Sequence, residues 1–327
     1  MEEAKILEGL EKGDIKPYQL EELLWDKKKE TWAKANRKAA ELRLRFLERK
    51  LGKSFPSLER FYVEVSSARE NPTTGIESQI GGAAVPLGVA GPVQVRGKSA
   101  SGEFWLPIAT NEAALIAGLN RGCKLINKVG GVKSVVTRDY MARAPALMAG
   151  DLETAARLVK EIGQKGELYQ KVKEVAEAES RVSRLTDIVP FQMGRVVHLR
   201  FHFQTGDAMG MNSATKYAAN GVRELLKRFP GVKLVSLTGN LCTDKKATHI
   251  NVLLGRGKTV ETEAEIPGKL IQEVYGISAA DMARLNSVKN YQGSALAGTV
   301  TGFNGNVANT IAGLFVATGQ DCAQIVE

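Results

Sequence analysis

Cysteine and histidine are scarce in this chain: three of each in 327 residues. Cys123, Cys242 and Cys322 form no CxxC pair and leave an odd count, which argues against a disulfide framework or a zinc ribbon and for a reducing compartment. His198 and His202 share one face of an alternating segment. With no third ligand beside them, a wetted sheet face is expected there rather than a metal site. A membrane-length hydrophobic run is lacking too. Residues 290–320 carry no formal charge, but Gln292, Asn304, Asn306, Asn309 and six glycines make the stretch too polar for lipid. Tightly packed protein interior is the expected setting. The charged start, Met1–Asp14, has no apolar signal-peptide core.

What is present fits a globular chain of two or three domains: 43% hydrophobic and 25% charged residues. Gly 33 is high, about a tenth of the chain, and points to segments of close backbone approach. The net charge of +9 favours anionic partners without identifying one. Residues 1–52 read as helical, and the helix over Thr31–Leu51 is rich in arginine and lysine. A basic helix can touch nucleic acid, but a solvated face or an arm on a neighbouring subunit is the expected role.

Further along, Glu77–Pro92 reads as a Gly/Pro-punctuated loop, followed by a hairpin of Val93–Arg96 and Glu103–Ile108. Thr110 is the expected N-cap of a helix running to Cys123. Asp151–Glu179 reads as surface helix. Val196–Gln204 alternates, with Val197, Leu199, Phe201 and Phe203 on one face and His198, Arg200, His202 and Gln204 on the other. A helix follows to about Phe229. Val232–Leu237 reads as a buried strand, and His249–Leu254 and Lys258–Ile266 as a hairpin across Gly255-Arg256-Gly257. Pro267 starts a helix to Tyr275, and Ser278 with Asp281 opens another to about Val288.

Four places carry the polar groups that chemistry would need. Thr238–Lys246, Thr-Gly-Asn-Leu-Cys-Thr-Asp-Lys-Lys, can present Lys245 or Lys246 as a fixed cation oriented by Asp244 and Asn240. Such a cation stabilises negative charge developing on a carbonyl oxygen; a solvated turn is the alternative. Glu112 is either an exposed first-turn acid or a half-buried carboxyl able to give up a proton. Thr205–Asn212, a glycine turn between strand and helix, can seat a pyrophosphate on free N–H groups, although no G-x-G-x-x-G follows any strand-like run. Asp321, the first carboxylate after 31 uncharged residues, is either paired and buried or at the edge of a site.

Val-Ala-Gly-Pro (89–92), Asn-Arg-Gly-Cys (120–123), Gly-Asp-Ala-Met-Gly-Met-Asn (206–212), Cys-Thr-Asp-Lys-Lys (242–246) and Gly-Gln-Asp (319–321), in that order, resemble the 3-hydroxy-3-methylglutaryl-CoA reductases. The resemblance runs from about Ile15 to Glu327 and looks like the class I, soluble archaeal-type form. It implies an α+β fold: a helical N-terminal domain (1–65), a large α/β substrate domain (66–144 and 236–327), and an inserted ferredoxin-like cofactor domain (145–235). It further implies a cytoplasmic homodimer or higher homo-oligomer with shared active sites, acting in the mevalonate pathway of isoprenoid biosynthesis. Hydroxymethylglutaryl-CoA would be reduced to mevalonate by two hydride transfers from NADPH, with CoA leaving between them. Neither nucleic acid nor membrane is an expected partner.

By that resemblance Lys245 stabilises the oxyanion, Glu112 donates the proton and Asp321 tunes both. Arg121, Arg143, Thr238, Asp244, Lys246, Lys289 and Asn309 fall at substrate-side positions. Asp207, Met209, Gly210, Met211 and Asn212 match the dinucleotide loop. Ser180 and Arg181 match contacts to the 2′-phosphate, where an arginine favours NADPH over NADH. The family's Glu-Asn-Val-Ile-Gly reads Glu77-Ser78-Gln79-Ile80-Gly81, a change on the CoA side. Asn111 and Ala142 also depart from the pattern, without expected consequence. The family has a histidine near its C-terminus that protonates the departing CoA thiolate. His198, His202 and His249 match none of that context, so impaired CoA release is expected of these 327 residues. The competing reading is a catalytically impaired CoA- or nucleotide-binding relative.

Overall fold

The computed structural model describes residues 3–25, 32–56 and 78–326. Residues 57–77, including Glu77 of the expected loop, lie outside them. Cα packing divides the chain into two units, Met1–Val85 and Pro86–Glu327.

In the first unit, α1 (Glu3–Lys12), α2 (Leu20–Leu24) and α3 (Trp32–Leu51) bury Ile6, Leu7, Leu10, Leu20, Ala39 and Leu42 against one another. Arg43 is almost fully buried. It is tolerated there because it pairs with Glu21 and donates to the carbonyls of Pro17 (2.7 Å) and Gln79 (3.2 Å). Among the described residues the remaining cations of α3 do not form a free basic stripe. Arg45 pairs with Glu3 at 3.2 Å and Arg49 with Glu11 at 3.1 Å, both across to α1.

The second unit is mixed α and β. Strands β1 (Leu87–Gly97) and β2 (Ser101–Ala109) form the expected antiparallel hairpin, although β1 begins at Leu87, within the stretch expected as loop. After α4 (Leu115–Lys128), β3 (Val132–Arg143) runs parallel to β1 and antiparallel to β8 (Gly257–Glu263). The last three residues of β3 leave that sheet and pair with β6 (Val196–Gln204), placing Arg143 opposite Phe201. Strand β3 thus carries the chain from one sheet into the next.

That next sheet follows the path β4 (Ala146–Met148), α5 (Leu152–Gly163), α6 (Glu167–Glu177), β5 (Arg184–Met193), β6, α7 (Met211–Arg228) and β7 (Lys233–Ser236). Its antiparallel order is β7-β4-β6-β5, the strand arrangement of a ferredoxin-like unit. The apolar face of β6 meets α5, α6 and α7 in the largest buried cluster, where Val197, Leu199, Phe201 and Phe203 are wholly buried. Gly221 permits the close approach of α7: a Cβ there would lie 3.1 Å from both Phe201 and Val172.

Several expectations need correction. The opposite face of β6 is wetted only in part: Gln204 is exposed and His198 half-buried. Arg200 is fully buried and His202 nearly so, stacked on Tyr140 of β3 with ring centroids 4.0 Å apart. Tyr140 and the 238–246 loop cover what a lone amphipathic strand would expose. His249–Leu254 is a helix, α8, not a strand, and β8 pairs with β3 rather than in a hairpin with it. Six apolar-rich residues do not distinguish strand from helix by period. What decides is donors at the helix end: Arg138 to the Val252 carbonyl (3.1 Å), Tyr140 to Leu254 and Arg200 to Gly255 (2.9 Å).

Strand β7 is not buried, since Leu234 and Val235 are 40% and 63% exposed at the sheet edge. Thr110 does not cap α4, which starts at Leu115 behind Ala114 in a left-handed conformation; its Oγ1 instead accepts from the Glu112 N–H at 3.0 Å. The uncharged 290–320 stretch is largely exposed in this chain, with Leu296 at 90%. It opens within a π-helical turn, Ser287–Gly293, and includes α11 (Val307–Thr318). Two other helices start as read: α9 (Gly268–Tyr275) behind Pro267, and α10 (Ala279–Asn286) capped by Ser278, which accepts from the Asp281 N–H.

Candidate active site

The loop between β7 and α8 is wound tightly by its own backbone. Asn240, Thr243 and Lys245 all have positive φ, at 63°, 58° and 60°. For a β-branched residue such as Thr243 this is a rare conformation costing on the order of 1–3 kcal/mol, held only where surroundings enforce it. The enforcing contacts are present. Thr243 is buried and donates to Asn251 of α8, whose Nδ2 donates to the Lys246 carbonyl at 3.1 Å. Arg200 reaches up from β6 to the Leu241 carbonyl and to Thr243 Oγ1 (3.3 Å). The loop is therefore a rigid mount rather than a solvated turn.

Lys245 projects from this mount and pairs with Asp321 at 2.7 Å. The hydrogen bond to Asp321 holds the ammonium above the usual lysine range, and the same bond holds the carboxyl below the usual aspartate range. Both groups are accessible, with side chains 47% and 37% exposed. Asp244 faces inward. It accepts from Arg256 at 3.1 Å and Gln324 at 2.8 Å, with Arg143 3.9 Å away. Arg143 also donates to Met211, and its Nη1 lies 3.8 Å from Cys242 Sγ. Lys246 folds back onto the Asp244 carbonyl at 3.0 Å.

Lys245, Asp244 and Asp321 line a cleft of about 380 Å³ together with Met209, Gly210, Met211, Asn212, Ser213 and Gln324. The glycine turn and the lysine loop, well separated in sequence, thus form two walls of one cleft. Gly210 is the N-cap of α7 with φ +71, and a Cβ there would meet Thr205 Cγ2 at 2.6 Å. Only glycine seats this turn so closely beneath the free N–H groups of the helix.

Other expected residues lie apart. Glu112 is exposed, outside the first turn of α4, and its carboxylate accepts from Asn309 of α11. Arg121 lies over the Tyr275 ring at 5.0 Å. Lys289 would be 3.4 Å from a Cβ at Gly305. The Thr238 N–H donates to Ser236. None of these five lines the Lys245 cleft among the described residues. Arg181 and Asp207 are exposed, whereas the Ser180 Oγ is buried without a hydrogen-bond partner among the described residues.

A model of the hydroxymethylglutaryl-coenzyme A reductase family matches residues 39–327. The chain belongs to this family. It is 39% identical to the 3-hydroxy-3-methylglutaryl-coenzyme A reductase of Pyrococcus abyssi over 98% of its own length and 76% of that protein. With the Methanocaldococcus jannaschii protein of the same name, identity and both shares are the same. The class II reductase of Streptococcus pneumoniae, solved bound to NADPH in open conformations, superimposes with a TM-score of 0.54, over 85% of this chain and 72% of that one. At 18% identity it shows a common fold. Among the described residues no helix is long and apolar enough to cross a membrane.

The residues that sequence reasoning missed in this reductase are Arg256, Gln324 and Arg200. Arg256 was expected at a hairpin tip. Its side chain is fully buried, and burial pulls it down to about 10, leaving it charged at neutral pH against Asp244. The available signal was an arginine between two glycines just after the lysine loop, a place where a turn needs no cation.

Proposed function

We propose that this chain is an NADPH-dependent reductase that converts 3-hydroxy-3-methylglutaryl-CoA to mevalonate by two hydride transfers. The observation that carries the reading is the Lys245–Asp321 pair, mounted on a strained loop and facing the glycine-opened start of α7. Each reduction builds negative charge on one carbonyl-derived oxygen. Lys245, held charged by Asp321, is placed to stabilise that oxygen, and a rigid mount spares the reorganisation that a mobile lysine would need. Asp244 and Lys246, with Arg143 behind them, hold the carboxylate and hydroxyl of the substrate. Glu112, oriented by Asn309, supplies a proton, and Arg121, Thr238 and Lys289 complete the substrate side; since they lie away from the Lys245 cleft of their own chain, they do so in an active site shared between two subunits.

The chain fits the dinucleotide. The Gly210 turn leaves backbone N–H groups free at the α7 N-terminus, and the buried, unpartnered Ser180 Oγ offers a donor beside exposed Arg181. When bound, NADPH supplies the hydride. Asp207, Met209, Gly210, Met211 and Asn212 would hold its pyrophosphate side, and Ser180 and Arg181 its 2′-phosphate.

We further infer a cytoplasmic homodimer in which residues 145–235 form the cofactor domain and flanking segments the substrate domain. The uncharged, exposed 290–320 stretch supports a subunit contact, and buried, unpaired Cys123 and Cys242 support a reducing compartment. Sedimentation equilibrium tests the dimer. The function is tested by NADPH oxidation on adding hydroxymethylglutaryl-CoA, and separately mevaldehyde. Oxidation that Lys245→Met abolishes supports the reading, and a folded protein that oxidises neither overturns it.

A further inference from the structure

Arg256, Asp244 and Gln324 form a closed triangle. Arg256 Nη2 donates to Asp244 Oδ1 at 3.1 Å, and its Nη1 donates to Gln324 Oε1 at 2.8 Å. Gln324 Nε2 closes the ring on Asp244 Oδ1 at 2.8 Å. The three come from different segments: the lysine loop, the start of β8 and the turn after α11. Asp244 immediately precedes Lys245, and Gln324 follows Asp321 by three residues, so the triangle brackets the Lys245–Asp321 ion pair on both sides. The Asp321 segment is otherwise a short turn, held locally by the Gln324 N–H on the Asp321 carbonyl at 3.0 Å. A buried guanidinium with two parallel donors suits this work, because it fixes a carboxylate and an amide in one plane.

We propose that Arg256 and Gln324 are positioning residues that clamp the Asp321 segment onto the lysine loop and so set the Lys245–Asp321 pair. The clamp is a property of the folded chain, and its consequence for turnover rests on the reductase reading above. Without it, the ties left on the Asp321 carboxylate among the described residues are its own bond to Lys245 at 2.7 Å and the local Ala323 N–H at 3.1 Å, neither of which sets its position independently of the pair. A carboxylate that drifts by an ångström no longer holds the ammonium in place, and misplacement of that size costs about ten- to a hundred-fold in rate.

The charged groups acting on Lys245 are Asp321 and Asp244, which raise it, and Arg256, which lowers it. Deleting the Arg256 charge would therefore mix two opposite effects. Gln324→Ala changes no charge but also removes a side-chain hydrogen bond from Gln324 to Asp321. Arg256→Lys keeps both that bond and the cation while losing the two-pronged geometry, so agreement between the two variants isolates the clamp. The test follows the titration of Lys245 by ¹³C NMR after reductive methylation, assigned with Lys245→Arg, alongside steady-state kinetics and melting temperature. Expected for Gln324→Ala is a lower Lys245 midpoint and a kcat down at least about ten-fold, with melting temperature unchanged. Arg256→Lys moves both readouts in the same direction. A Lys245 midpoint that neither variant moves, in protein that still melts cooperatively, overturns the clamp. A shifted midpoint in a wild type that oxidises no NADPH leaves the clamp standing and removes the reductase reading instead.

Discussion

Lys245 and Asp321 each make the other's charge easier to keep, and the sign of this coupling gives a test. Asp321 raises Lys245, so the ammonium persists to higher pH than an ordinary lysine, and activity on the alkaline side is lost only as pH passes that raised value. Asp321→Asn removes the cause. The alkaline limb of kcat/KM then moves to lower pH, and a limb that stays in place would assign it to another group. Lys245→Met is expected to lower kcat by about 10²–10³ or more, the scale for loss of a single oxyanion donor, with far less change in KM for NADPH. His202 works in the opposite sense. Burial, aided by the Arg200 cation, pushes it down to about 4, so the folded chain binds the proton less readily than the unfolded one. Acidification from about 6.5 to 4 therefore removes stability, roughly 3 kcal/mol when complete. His202→Phe preserves an aromatic stack on Tyr140 and is predicted to flatten the fall in urea-unfolding free energy across that window.

At the scale of elements, the sequence was most legible where one pattern decides the structure. The alternation of Val197, Leu199, Phe201 and Phe203 places β6 and its buried face without ambiguity, and Phe203→Ala should cost about 3–5 kcal/mol in chemical unfolding. The Ser278 cap and the Pro267 start were readable because capping is a local matter of one side chain and one N–H. Where partners come from afar, reading failed. His249–Leu254 is helical because Arg138, Tyr140 and Arg200 supply donors from two strands, none of them adjacent in sequence. Arg200 and His202 are buried because Tyr140 and the lysine loop cover them. The glycine turn before α7 lies between these cases: its glycines are visible, but the need for one at Gly210 follows from Thr205 being 2.6 Å from any Cβ there. Gly210→Ala is expected to cost about 1–3 kcal/mol through the left-handed φ and the clash. It should also raise KM for NADPH more than it lowers kcat with saturating dinucleotide. A wild-type KM would remove that turn from the cofactor site.

For the whole molecule, the candidate site was legible to the extent that it is built from short ordered motifs: the lysine loop, the glycine turn and Asp321 do meet in one cleft. The buried arginines behind it were not, because a cation's burial depends on which carbonyls and carboxylates the fold brings to it. Family membership rests on 39% identity across nearly the whole chain, and the chain spans 76% of the length of that relative. The activity of these 327 residues is the central claim. The most direct measurement follows NADPH absorbance in the purified protein after adding hydroxymethylglutaryl-CoA, in wild type and Lys245→Met side by side. The account predicts NADPH loss in the wild type and at least about a hundred-fold less in the variant. Equal rates in both proteins, or a folded wild type that oxidises NADPH with neither hydroxymethylglutaryl-CoA nor mevaldehyde, would contradict it.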